Sequence, residues 1–122
     1  MRVFKTRTFR RWADKAGVAD AALLDAMKQM ERGLIDADLG GNLYKQRVAL
    51  PGRGKSGSTR TIIATKFAGV LFFLYGFEKN DRANISAKEL VLYQRLASGF
   101  LDMTETQIAA ALRQQVLTEV MQ

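Results

Sequence analysis

The apolar positions of this 122-residue chain change period several times, and each change marks an expected element. Arg2 to Lys5 reads as a short first strand. Thr8 is placed to cap a helix that runs to about Ala16. Gly17 would end it, since glycine readily takes the left-handed turn that closes helices. Asp20 is read as the cap of the next helix. Leu23, Met27, Met30 and Leu34 then follow at i, i+4, i+7 and i+11, the spacing of a stripe facing a core. The two methionines are therefore read as packing and not as ligand contacts. Gly17-Val18-Ala19 would join the two helices as an antiparallel pair.

Gly40-Gly41-Asn42 is a turn by composition. Leu43 to Leu50 alternates, with Lys45 and Arg47 on one face and Tyr44, Gln46, Val48 and Leu50 on the other. Pro51 through Ser58 has the composition of a loop. Thr59 to Thr65 is a β-branched strand, and Lys66-Phe67-Ala68-Gly69 a short turn. Val70 to Phe77 is nearly all apolar, the pattern of a central strand covered on both faces. Three successive strands with short connections predict an antiparallel meander. Ser86-Ala87-Lys88-Glu89 and Thr104-Glu105-Thr106-Gln107 are capping boxes. The helices they open carry Leu90, Tyr93, Ala97 and Phe100, then Ile108 and Leu112, on their apolar sides. Val116 to Val120 reads either as a short edge strand or as more helix. The expected fold is α+β: an N-terminal strand and helical hairpin, a three- to four-stranded antiparallel sheet, and C-terminal helices. One domain is expected over residues 1–122.

Composition then narrows the chemistry. The chain has no Cys, which excludes disulfides and a thiol nucleophile, and no His, the commonest general base. A zinc site of the usual kinds is excluded with them, and no metal or other cofactor is expected. There is no run of about 18 apolar residues, so no membrane span is expected. The basic start MRVFKTRTFRRW has no apolar centre and does not read as a secretory signal. A cytoplasmic protein is the expectation.

The net charge is +7, and its distribution matters more than its size. From Leu39 through Phe77 there is no Asp or Glu. That stretch carries Lys45, Arg47, Arg53, Lys55, Arg60 and Lys66. One-sided charge of this kind is the electrostatic footprint of polyanion binding. Gly52-Arg53-Gly54-Lys55-Ser56-Gly57 looks like a nucleotide-binding loop but lacks its requirements. Ala49 stands where the first glycine should be, and a strand follows where a helix is needed. Its glycines still let backbone N–H groups approach a phosphate. Tyr44, Phe67 and Tyr75 have faces on which bases stack, although hairpin and core packing is the stronger reading for Phe67 and Tyr75.

Three segments in order carry a family resemblance: Leu43-Tyr44-Lys45-Gln46-Arg47-Val48, Gly54-Lys55-Ser56-Gly57-Ser58-Thr59-Arg60, and Phe73-Leu74-Tyr75-Gly76-Phe77-Glu78-Lys79-Asn80. Together they resemble the RelE/ParE superfamily of type II toxins, and most nearly its HigB-like branch. The resemblance implies a microbial ribonuclease-like fold that cuts messenger RNA, usually on the ribosome. It also implies a cognate antitoxin, of helix-turn-helix type, as partner. Arg60 matches the family's hairpin arginine, and Lys79 its basic residue at the strand end. Lys45, Arg47, Arg53 and Lys55 match its basic strand and loop positions, without a unique correspondence. Gly57-Ser58 departs from the commoner Gly-Gly. The tyrosine some relatives use after the last strand has no counterpart, with Ile85 nearby and Tyr93 further on. From Leu101 onward the chain is read as a helical extension.

The chemistry of RNA cleavage sorts these residues. The 2′-hydroxyl must lose a proton, the phosphoryl charge must be stabilised, and the leaving 5′-oxygen must gain a proton. Each preorganised cation or donor at the phosphate can supply ~3–4 kcal/mol. An arginine does not deprotonate, so Arg60 is read as a phosphate clamp. Lys55 or Lys79 is the proton-transfer candidate, since lysine among other cations is more easily deprotonated. Lys45, Arg47, Arg53 and Lys66 are candidate RNA contacts. Orientation on the ribosome would add ~7–11 kcal/mol, which lessens the need for histidine. Two other readings share the charge pattern: a sister toxin that poisons DNA gyrase, and a non-catalytic RNA- or ribosome-binding module.

Overall fold

The computed structural model describes residues 1–50, 59–79 and 81–122. Its elements are β1 (Arg2–Thr6), α1 (Arg7–Ala16), α2 (Asp20–Glu31), β2 (Ala37–Gly40), β3 (Leu43–Val48), β4 (Thr59–Thr65), β5 (Val70–Glu78), α3 (Ala87–Leu101), α4 (Glu105–Arg113) and β6 (Leu117–Val120). The α+β class, the helical hairpin and the central meander are as the sequence predicts. The sheet is wider, with strand order β2-β3-β4-β5-β1-β6. β1 runs parallel to β5 and antiparallel to β6, and the rest of the sheet is antiparallel. β1 therefore has a neighbour on each side, and its Val3 and Phe4 are fully buried.

Helices cover both faces. Phe9 and Ala13 of α1 and Leu23, Met27 and Met30 of α2 pack with Val3, Ile63, Leu71 and Phe73 on one face. Tyr93 and Ala97 of α3 and Ile108 of α4 pack with Phe4, Leu43, Ile62 and Phe72 on the other. The apolar run of β5 is explained by this arrangement, because alternate residues feed two cores. Each fully buried Leu or Phe contributes about 1.5–3 kcal/mol.

Local details correct several expectations. Thr6, not Thr8, caps α1, with its hydroxyl accepting from the Phe9 N–H at 3.1 Å. Ala19 is the cap residue of α2, without a side-chain bond; the Asp20 carboxylate is instead held by Lys5 at 2.8 Å. Leu34 is 59% exposed. Helix α2 ends at Glu31 and Gly33 turns left-handed at φ +83, so the helical period no longer applies to Leu34. Val116 to Val120 is not helical: Gln115 takes a positive φ and Leu117–Val120 pairs with β1.

β2 has little strand propensity of its own. The chain leading into it is tied down by buried Gln46 of β3. The Gln46 carboxamide accepts from the Asp36 N–H at 3.0 Å and donates to the Leu34 carbonyl at 2.9 Å.

One irregularity decides what the sheet presents. β4 and β5 slip register between Ile62 and Ile63, which face Tyr75 and Phe73, so Leu74 is an extra residue in β5. A bulge of this kind moves every later side chain to the opposite face. Tyr75 and Phe77 thus join the α3 side with Phe72. Gly76 turns toward α1, where the Trp12 ring fills the space a side chain would need.

Candidate nucleic-acid interface

Lys45 and Arg47 share one face of β3 with Leu43, whose burial in the α3-side core identifies that face. Cross-strand register then aligns two rows. Arg47 faces Arg60, which faces Phe77; Lys45 faces Ile62, which faces Tyr75. Directly opposed residues have Cβ atoms about 4.5–5.5 Å apart, and like charges so placed oppose folding. The fold answers part of this cost with Asp36, whose carboxylate lies 3.5 Å from Nε of Arg60. The Arg60 side chain is only 12% exposed, whereas Arg47 is exposed to solvent.

A further guanidinium, not singled out from the sequence, reaches the same face. Arg82 follows β5 and lies over the Phe77 ring, 5.7 Å from its centroid. It donates to the Tyr75 hydroxyl at 3.3 Å and to both carboxylate oxygens of Glu89, one at 3.1 Å. Glu89 is preplaced because it also closes the capping box of α3, accepting from the Ser86 N–H at 2.8 Å. The Arg82 hydrogen bond, and then the Ser86 backbone bond, hold the Glu89 carboxyl down at about 2. The same pairing raises Arg82 further above its ordinary value. Tyr93 stacks on Tyr75 with ring centroids 5.2 Å apart. Burial first, and the neighbouring Tyr75 second, push the Tyr93 phenol up to about 12. Tyr93 is thus neutral at physiological pH. Chain folding after β5 joins Arg82 to Glu89, and no spacing rule marks that pair beforehand.

The structure brings together some of the expected residues and separates others. Lys45, Arg47 and Arg60 form one basic surface. Lys79 is exposed just beyond β5, two residues past Phe77. Arg53 and Lys55 lie outside the described residues; the cross-strand pair next to Arg47–Arg60 is Val48–Thr59, from which their connection departs. Lys66 stands apart, past the opposite end of β4. It is six residues from Arg60, about 20 Å along a strand, and pairs with Asp102 at 4.0 Å. Tyr44 meets Phe67 edge-on at 5.5 Å, so both are committed to hairpin packing. Among the described residues no three side chains of the acidic or other metal-ligating types converge.

A row of cations on a rigid sheet, running from exposed Arg47 to largely buried Arg60 and backed by aromatic rings, is suited to gripping phosphates. It defines the class: a small basic α+β protein with a row of cations on one sheet face. A family model described as the RelE toxin of the RelE/RelB toxin–antitoxin system matches residues 1–120. The chain belongs to this RelE toxin family, and the match includes α4 and β6. Comparison with curated proteins finds no significant match. Among the described residues, no helix is long and apolar enough to cross a membrane.

Proposed function

We propose that this toxin is a metal-independent endoribonuclease that cuts messenger RNA on the ribosome and is neutralised by a cognate helix-turn-helix antitoxin. The observation that carries the reading is the opposed pair Arg47–Arg60. Two arginines opposed across the strands place two cations on one face, where a phosphate can be gripped between them. In this reading Arg60, aimed by Asp36, clamps the scissile phosphate and stabilises the charge that develops on it. Arg47 and Lys45 hold the flanking backbone, and Arg53 extends that contact. Arg82, oriented by Glu89 and Tyr75, supplies a further fixed cation beside Phe77. Lys79 or Lys55 moves the proton, because the arginines do not deprotonate. Action in the cytoplasm follows from the ribosome as the place of work.

The experiment is induction of Arg60→Ala and Lys55→Ala in growing cells. Both are expected to abolish growth arrest and transcript cleavage while the purified proteins keep their thermal transitions. Wild-type cleavage by both variants would remove the site assignment. Growth arrest with intact transcripts and a DNA-damage response would replace the reading with gyrase poisoning.

A further inference from the structure

Arg60 is held at both ends. At its backbone, two hydroxyls flank it: Thr59 Oγ1 donates to the Val48 carbonyl at 3.1 Å and Thr61 Oγ1 to the Gln46 carbonyl at 2.8 Å. Both bonds cross from β4 to β3, one on each side of the Arg47–Arg60 pair, and both threonines are fully buried. At its head, the Asp36 carboxylate lies 3.5 Å from Nε. Arg47, directly opposite, is exposed.

Asp36 stands between α2 and β2, outside any regular element. Gln46 fixes it there. Gln46 is 3% exposed and lies on the side of β3 away from Lys45 and Arg47. Its carboxamide uses both ends, accepting from the Asp36 N–H at 3.0 Å and donating to the Leu34 carbonyl at 2.9 Å. Segment 34–36 is thereby clamped against β3 before β2 begins. One chain of contacts runs from the Gln46 carboxamide through the Asp36 backbone and carboxylate to the Arg60 guanidinium. Gln46 thus meets both anchors of Arg60: its backbone carbonyl takes the Thr61 hydroxyl, and its side chain sets Asp36.

A carboxylate at Nε fixes the plane of the guanidinium, whose terminal nitrogens are the edge that takes a phosphate in a bidentate grip. A long side chain set in this way has lost its rotamer freedom before the substrate arrives. We propose that Asp36 and Gln46 are positioning residues that hold Arg60 in the orientation the transition state needs, Asp36 acting on the guanidinium and Gln46 acting through Asp36. The inference rests on the endoribonuclease reading and adds to it two residues that make no contact with RNA.

The test measures single-turnover cleavage by the purified full-length protein on ribosomes programmed with a short defined message. The variants are Asp36→Asn, Gln46→Met and the two combined, with Glu31→Gln, an exposed acid at the end of α2, as charge control. Circular dichroism and melting verify that each is folded. Asp36→Asn and Gln46→Met should each lower the maximal rate at least ~10-fold, since a misplacement of about 1 Å can cost roughly 100-fold. The ribosome concentration for half the maximal rate should stay within about twofold or fall in Asp36→Asn, because losing an acid strengthens the attraction to phosphate. The double variant should be at most about twofold slower than the slower single one, because both act through one contact. Glu31→Gln should match wild type. A maximal rate in Asp36→Asn within about twofold of wild type, or above it, would overturn the inference and leave the endoribonuclease reading standing. That variant decides the matter where Gln46→Met does not fold. A wild-type rate in folded Gln46→Met would also overturn it, as would losses that multiply in the double variant. No cleavage by the wild type would overturn the reading and the inference together.

Discussion

The hydroxyl of Thr6 donates to the carbonyl of Leu74 at 3.1 Å, joining the end of β1 to the extra residue of β5. That carbonyl belongs to the bulge that brings Tyr75 and Phe77 to the α3 side, next to Arg60 and Arg82. The same hydroxyl accepts from Phe9 and caps α1. One buried side chain thus supports a helix start and the register of the candidate site.

Thr6→Val keeps the shape and removes both bonds. Loss of the cap costs about 1 kcal/mol, and a buried carbonyl left without a donor costs about 1–3 kcal/mol. Urea unfolding should show a loss of roughly 2–4 kcal/mol, with Thr6→Ser close to wild type. A change below about 0.5 kcal/mol would show that the bulge does not need this bond.

Arg47→Ala should separate function from stability. It relieves a like-charge cross-strand pair worth roughly 0.2–1 kcal/mol, so the protein should be as stable as wild type or slightly more so. RNA affinity should fall, with a shallower dependence on salt because a phosphate contact is lost. Equal loss of stability and binding would make Arg47 a structural residue.

Glu89 gives a pH signature. Its folded-state value, about 2, lies below the unfolded 4.5. Its stabilisation is therefore full above the ordinary carboxylate range and is lost as pH falls through 4.5 toward 2. Glu89→Gln should flatten the acid limb of the stability curve in that window and leave the curve near pH 7 parallel to wild type. The Arg2–Glu119 pair, which lowers the Glu119 carboxyl, contributes to the same limb and should persist in the variant. An unchanged acid limb would contradict the pairing of Glu89 with Arg82.

Much of this architecture is legible in the sequence where a single element decides it. The β5 run, the two capping boxes and the Lys45/Arg47 alternation each follow from local period or local chemistry. What escapes depends on partners distant in the chain. β2 exists because Gln46 binds the chain at Leu34 and Asp36, not because Ala37–Gly40 favours a strand. β6 forms because β1 offers an edge to Leu117–Val120. The bulge at Leu74 has no compositional mark, so the side of the sheet on which Tyr75 and Phe77 emerge is not readable beforehand. Lys66 shares one acid-free stretch with Arg60 and reads as a candidate RNA contact, but proximity in sequence along a strand becomes about 20 Å of distance. Arg82 and Glu89 meet through a turn that no spacing rule anticipates.

The central claim is that the cation row around Arg60 acts on RNA. It is tested most directly by mapping transcript 5′ ends in cells expressing wild type, Arg60→Lys or Arg60→Ala at equal protein level. Wild type should give new in-frame cleavage ends on translated messages, Arg60→Lys far fewer because the two-pronged grip is lost, and Arg60→Ala none. Cleavage ends of wild-type position and intensity in Arg60→Ala would contradict it.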